Sequence, residues 1–288
     1  MIPSFLAYHK STRPTGKAIA AELGIEKFGI RTPMDTIDVL VRWGSSRDMP
    51  PCDTTINSHL AIRLAANKIA TFEALRNAGV QTIPFFRTKE DMANYYGFRS
   101  GVPCGHAFMG RANFLSKGKG IVVYPRKTVY EPEKMHHDFY SIYIKPAIEY
   151  RLHVVDNKVI RVQGKYCDNP ELAATNPYVR NYETGYRYRA PNRNIHNRRK
   201  AEAIQSVKAL GLDFGAVDMI LDDHGDSWIL EVNSAPACSP LTAKCYAVHL
   251  GILIRERTHG RVKLARKYDL VDIEDMEEPE QETYLERR

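Results

Sequence analysis

Apolar positions come in runs whose period changes along the chain, and each change marks an element. Residues 38–43 (DVLVRW) read as a buried strand ended by Gly44, after alternating turn and helix signals from Ser11 onward. A small α/β unit is therefore expected first. Beyond Pro50 and Pro51, residues 58–78 carry a helical pattern closed by Gly79, with Asn67 and Lys68 interrupting its apolar face. From 80 to 143 the apolar runs are short (TIPFF, HAFMG, GIVVYP, FYSIYI) and divided by Gly and Pro, which predicts antiparallel strands and one helix near 90–96. Residues 150–155 and 158–164 read as a strand pair turning at Asp156 and Asn157. A polar stretch, 176–200, runs into a helix over 198–210 stopped by Gly211, and a last helix is expected around 243–254.

Between those helices lie GAVDMIL and SWILEVN, joined by DDHGD, the pattern of an antiparallel hairpin. A loop symmetric about His224 and Gly225 puts Asp218 opposite Glu231, and strand alternation puts Asn233 on the same face. Facing carboxylates repel, and Val217, Ile220, Leu230 and Val232 leave little water to screen them. A cation is one resolution: oxygen-only ligands suit Mg²⁺ or Mn²⁺ better than zinc. An ordinary hairpin with a wet acidic face is the other.

Composition adds direction. The 288 residues carry a net charge of +7, but the stretch from 268 onward holds nine acidic and two basic residues, leaving a body of about +14. Such a body suits an anionic ligand: nucleotide phosphates, an acidic peptide or a nucleic acid. The Glu-rich end has few core-forming residues and reads as a solvated tail. No apolar run approaches the roughly 18 residues of a membrane span, and the first ten residues lack the order of a secretory signal, so a cytoplasmic protein is expected. The five cysteines are odd in number and widely spaced, which reads as reduced packing residues.

The segment D-x-x-x-D…WILEVNSAP resembles the C-terminal signature of the ATP-grasp superfamily, and three upstream segments match that family in the right order. They are ANKIATFEALRNAGVQTIP, GRANFLSKGKGIVV and FYSIYIKPAIEYRLHVVDNKVIRVQGKY, so the resemblance spans roughly 58–250. It implies an α+β fold in which two α+β lobes grip ATP, here preceded by a small α/β N-terminal domain. The expected division is 1–57 for that domain, 58–143 and 144–267 for the two lobes, and 268–288 for the acidic tail. By the same resemblance Lys68 and Arg111 would contact nucleotide phosphates beneath a loop carrying Lys117 and Lys119. The backbone near Ile142 and Ile144 would pair with adenine, and Glu149 would hold the ribose. Arg151 and Lys165 would face the phosphates or the acyl group, and Asp218, Glu231 and Asn233 would bind Mg²⁺ (or Mn²⁺).

The implied reaction is ATP-dependent ligation of a carboxylate to an amine through an acyl phosphate, releasing ADP and phosphate. The substrates would be a carboxylate and an amine acceptor, such as an amino acid and a peptide or protein. Pro236-Ala237 replaces the family's Pro-Gly, and Ala216 stands where D-alanine ligases carry an arginine. The E-Y-R-x-H-V pattern is closer to the ribosomal-protein glutamate ligase group. A kinase acting on a hydroxyl, or a non-catalytic binding module, are the rival uses of the fold. Residues 176–200 hold Arg180, Arg187, Arg189, Arg193, Arg198, Arg199 and Lys200 among four tyrosines, which fits a solvated loop, a carboxylate-rich substrate or nucleic acid.

Overall fold

The computed structural model describes residues 4–27, 37–47, 49, 52–98, 107–114, 120–124, 136–261 and 264. Cys104, Lys117, Lys119 and the stretch from 268 onward lie outside them. Among the described residues the strands form three sheets. The first is parallel, in the order β2 (Glu26–Lys27), β1 (Ser4–Tyr8), β3 (Val39–Trp43), β4 (Thr54–Ile56). Helix α1 (Arg13–Leu23) links β1 to β2; Pro14 sits in its first turn and Gly24, at φ +66°, ends it.

Next come α2 (His59–Ala66) and α3 (Lys68–Asn77), where the sequence pattern predicts one helix. The break is at Asn67, which is extended and caps α3 by accepting a hydrogen bond from Ala70 N at 3.0 Å. A side chain that competes for backbone donors favours a cap over a helix interior. The second sheet is antiparallel, in the order β5 (Phe85–Phe86), β8 (Phe139–Ile142), β6 (Phe108–Arg111), β7 (Val122–Tyr124), with α4 (Lys89–Phe98) beside it.

The third sheet places β11 (Tyr186–Arg189), β10 (Lys158–Cys167), β9 (Ile148–Val155), β12 (Phe214–Leu221) and β13 (Ser227–Asn233) side by side, all antiparallel. Asp156 and Asn157 turn β9 into β10 with positive φ, as Asp and Asn tolerate best. A short helix, α5 (Pro170–Thr175), follows β10. Helix α6 (Asn197–Ala209) packs its Ala203 and Val207 on one face of the sheet against Leu152, Val154, Val217 and Met219. The opposite face carries Arg151, Asp218 and Glu231. Helix α7 (Pro240–Arg257), started by the Ser239 cap and Pro240, covers one end of that face.

One apolar core joins the N-terminal sheet to this third sheet. Trp43 stacks on Phe214 with centroids 5.1 Å apart and meets Tyr246 of α7 edge-on at 4.8 Å. Asn57, buried and at φ +62°, pins the junction: its side chain accepts from Asp213 N (2.7 Å) and Phe214 N (3.2 Å) and donates to Phe214 O (3.1 Å). Ile229 N donates to Gln81 O at 3.0 Å, which ties the approach to β5 onto β13. No helix among the described residues is long and apolar enough to cross a membrane.

Candidate active site

The hairpin register puts Asp218 opposite Glu231, though by a different route from a symmetric turn. The loop has five residues, Asp222 to Asp226, closed by Asp222 N donating to Asp226 O at 3.0 Å. From Leu221↔Ser227 to Met219↔Ile229 the pairing is therefore offset by one residue. A bulge at Leu230 then restores the register in which Asp218 meets Glu231 and Ala216 meets Asn233. Without that bulge the carboxylates would lie on opposite faces.

Four strands now contribute one cross-sheet row: Gln163, Arg151, Asp218 and Glu231 are successive partners on β10, β9, β12 and β13. Arg151 grips Asp218 with two parallel bonds, Nε to Oδ1 at 2.6 Å and Nη2 to Oδ2 at 2.8 Å. Burial alone would raise the Asp218 pKa, but the guanidinium and then Lys165 outweigh it, and Asp218 stays below the ordinary carboxylate range. Glu231 has no salt bridge among the described residues; burial first, then the Asp218 charge, push its pKa up. Its Oε1 accepts a bond from Asn233 Nδ2, at 2.7 Å, which uses the nitrogen of the Asn233 amide and not its oxygen.

Glu231 makes no direct ion pair of its own among the described residues, in contrast to Asp218. No cluster of three or more His, Cys, Asp or Glu side chains suited to a metal occurs among the described residues. The set here is two carboxylates and an amide. All-oxygen donors, two facing carboxylates and an amide oxygen with no partner among the described residues fit a hard divalent cation that would take its remaining ligands from phosphate and water.

Across from this row stand Lys68 and Arg111. Lys68 is the first residue of α3, and its ammonium donates to Asn113 O at 3.2 Å. Arg111 ends β6 with its guanidinium 5.4 Å from the Phe139 ring, and its buried Nε has no hydrogen-bond partner among the described residues. Burial lowers both pKa values and Glu231 pulls both back up, so the two cations and Glu231 share one space. A lysine at the positive end of a helix beside a desolvated arginine is unfavourable unless an anion sits between them. The hairpin carboxylates supply only part of that charge.

The remaining expected residues fall as follows. Glu149, buried on β9, forms an ion pair with Lys165 of β10, so its carboxylate faces a lysine. That lysine also donates to Arg180 O at 3.1 Å. Ile142 is buried on β8 and its N–H is spent on Pro84 O at 3.0 Å; Ile144 follows in the connection to β9, where its N–H makes no backbone bond among the described residues. Lys117 and Lys119 belong to the stretch outside the described residues. Arg-rich 176–200 is braced mainly against its neighbours: Arg189 pairs with Asp168, Arg180 donates to Pro146 O, Arg198 and Arg199 reach Glu202, and Arg187 lies over Tyr182 within the segment.

Several site neighbours are given no role by the sequence, although Asn113 lies in GRANFLSKGKGIVV and His153 in the E-Y-R-x-H-V pattern. Tyr188 lies under Arg151 and Lys165, with its ring centroid 4.4 Å from Arg151 Cζ and 5.0 Å from Lys165 Nζ. The alternation YRYR is the period-2 signal that marks its strand. Asn113 clamps the start of α3 through Ile69 N (3.1 Å) and is itself held by Asp138 (2.8 Å). His153, fully buried, bonds Gln163 at 2.8 Å and Tyr246 at 3.0 Å, and burial drops its pKa to about 3, so the imidazole is neutral.

Known structures share this architecture. No protein-family model matches the chain, and no curated protein sequence does. Solved structures do. A RiPP-associated ATP-grasp ligase from Chryseobacterium gregarium, in complex with ADP and a leader and core peptide, aligns at TM-score 0.63 and 10% identity over 94% of this chain and 100% of that one. The ATP-grasp ligase PsnB, with a phosphomimetic variant of a minimal precursor, Mg and ADP, aligns at 0.61 and 11% over 90% and 99%. D-alanine–D-alanine ligase from Bacillus anthracis, complexed with ATP, aligns at 0.59 and 16% over 89% and 99%. The chain has the ATP-grasp fold.

Proposed function

We propose that this protein is an ATP-dependent carboxylate–amine ligase that forms an amide through an acyl phosphate. The observation that carries the reading is the cross-sheet row of Arg151, Asp218 and Glu231 facing Lys68 and Arg111: cations gathered around an acidic pair, in a fold whose solved relatives hold ADP and Mg. In this reading Lys68 and Arg111 neutralise phosphate oxygens from the first lobe, residues 58–143, with Lys117 and Lys119 adding charge. Arg151 and Lys165 do so from the second lobe, residues 144–267. Ile144 meets the adenine at the hinge. Glu149, paired with Lys165, sets the position of that lysine and holds the ribose hydroxyls.

Asp218, Glu231 and Asn233 would hold Mg²⁺, which supplies charge neutralisation at the β- and γ-phosphates. A carboxylate oxygen attacks the γ-phosphorus and ADP leaves; the amine then attacks the acyl carbon, phosphate leaves, and the amine's proton passes to solvent. No side chain has to act as a nucleophile, so positioning and charge carry the catalysis. The substrates fitting the sequence pattern are an amino acid and a peptide or protein acceptor, as in the ribosomal-protein glutamate ligase group. Two of the solved relatives are likewise complexed with peptides or precursors.

The test is ADP release over a panel of amino acids and peptides, with mass spectrometry for the product. Amide formation that needs both a carboxylate and an amine supports the proposal. A phosphorylated hydroxyl product, or ADP release independent of any amine, sinks it.

A further inference from the structure

Strand β11 is the edge of the third sheet, and its alternation divides it sharply. Arg187 and Arg189 point one way, to Tyr182 and Asp168. Tyr186 and Tyr188 point the other, and the cations come to them: Arg180 lies 5.5 Å from the Tyr186 ring, and Arg151 and Lys165 lie 4.4 and 5.0 Å from Tyr188. Tyr188 is the direct partner of Lys165 in the β10–β11 register, so both side chains rise on the face that carries Arg151 and Asp218. An aromatic face attracts cations through its quadrupole, and more strongly where water is excluded.

Each cation also has a carboxylate partner, Asp218 for Arg151 and Glu149 for Lys165. An arriving phosphate must compete with those carboxylates for N–H donors. It need not compete with the ring, because a stacked guanidinium keeps its in-plane donors available for oxygen.

We infer that Tyr188 is a positioning residue, an aromatic platform that holds Arg151 and Lys165 in place while their donors turn from protein carboxylates to substrate oxygens. What the cations act upon rests on the ligase reading; where they are held does not. Burial pushes the phenol pKa well above its usual value, so the platform stays neutral throughout the working range.

Two readouts test it. In ADP release, Tyr188→Leu is expected to lower kcat about tenfold, the order of one desolvated cation–π contact, with KM for ATP within about twofold of wild type, and Tyr188→Phe to restore kcat to within about twofold. In ¹⁵N-arginine NMR, the Arg151 Nε–H signal should carry a ring-current shift that survives in Tyr188→Phe and is lost in Tyr188→Leu. If the leucine variant does not fold, Tyr188→trifluorophenylalanine keeps the ring's shape, weakens its negative face and should show the same loss of kcat. A phenylalanine variant as impaired as the leucine variant, or an Arg151 signal that ignores the substitution, overturns the inference. A wild-type protein with no nucleotide-dependent turnover overturns the ligase reading, and the NMR comparison then decides the platform by itself.

Discussion

Replacing Glu231 by Gln should make the protein more stable and inactive. Glu231 shares its buried space with Asp218, whose counter-charge is already taken by Arg151, and both burial and the Asp218 charge raise its pKa. A carboxylate whose folded pKa lies above its unfolded value of 4.5 costs stability at every pH above the folded value. The cost fades as pH falls through that value towards 4.5, where the folded state binds the extra proton. Glutamine keeps the shape and can still bond to Asn233, but it carries no charge. Removing an incompletely paired buried charge is worth on the order of 1 kcal/mol at pH 7, or a melting temperature higher by about 2 °C in a chain of this size. The gain should vanish near pH 4.5. Saturating Mg·ADP should reverse the order, since a ligand at 100 times its dissociation constant stabilises by about 2.7 kcal/mol and the variant has lost a ligating charge. Thermal melts at pH 5 and 7.5, with and without Mg·ADP, separate these effects. A variant less stable than wild type at pH 7.5 without ligand, yet equally stabilised by Mg·ADP, would show that Glu231 is neither a destabilising charge nor a ligand.

Other substitutions probe the same framework. Arg151→Met leaves Asp218 buried without its cation, where side-chain exposures are only 13% and 6%, and should cost about 3 kcal/mol in urea unfolding at pH 7. Asn57→Ala strands the backbone groups of Asp213 and Phe214 that its side chain satisfies and puts alanine at a positive φ; a loss of about 3 kcal/mol is expected by the same assay. Asn67→Ala removes the α3 cap and should cost about 1 kcal/mol. His153, held neutral with a pKa of about 3 against 6.5 unfolded, contributes stability that is complete above pH 6.5 and drains away as pH falls towards 3. Unfolding at pH 5 should show about 2 kcal/mol less stability than at pH 8 from this group, a difference His153→Gln should abolish.

Much of the local structure could be read from single residues. Gly79 and Gly211 stop helices, and both adopt the left-handed conformation that leaves glycine preferred there. Asp156 and Asn157 mark a turn for the same reason. The hairpin pairing of Asp218 with Glu231 was also legible, but it rests on two compensating features, an odd loop and a bulge at Leu230, neither of which symmetry reveals. Strand β11 was hidden because YRYR draws attention to its charges, while its period of two carries the structural information. Partners far apart in sequence were out of reach. That Arg151 grips Asp218, or that Glu149 meets Lys165, follows from which strands lie side by side. The shared core of Trp43, Phe214 and Tyr246 is likewise a product of packing between distant segments, and no local pattern announces it.

In the proposed reaction ATP activates a carboxylate by phosphorylating it. Turnover with an ¹⁸O-labelled carboxylate substrate and the amine acceptor tests this directly, with the released phosphate analysed by mass spectrometry. An acyl phosphate transfers one labelled oxygen into each phosphate released alongside the amide. Amide formation with unlabelled phosphate, or labelled substrate recovered as a phosphate ester of a hydroxyl, would contradict it.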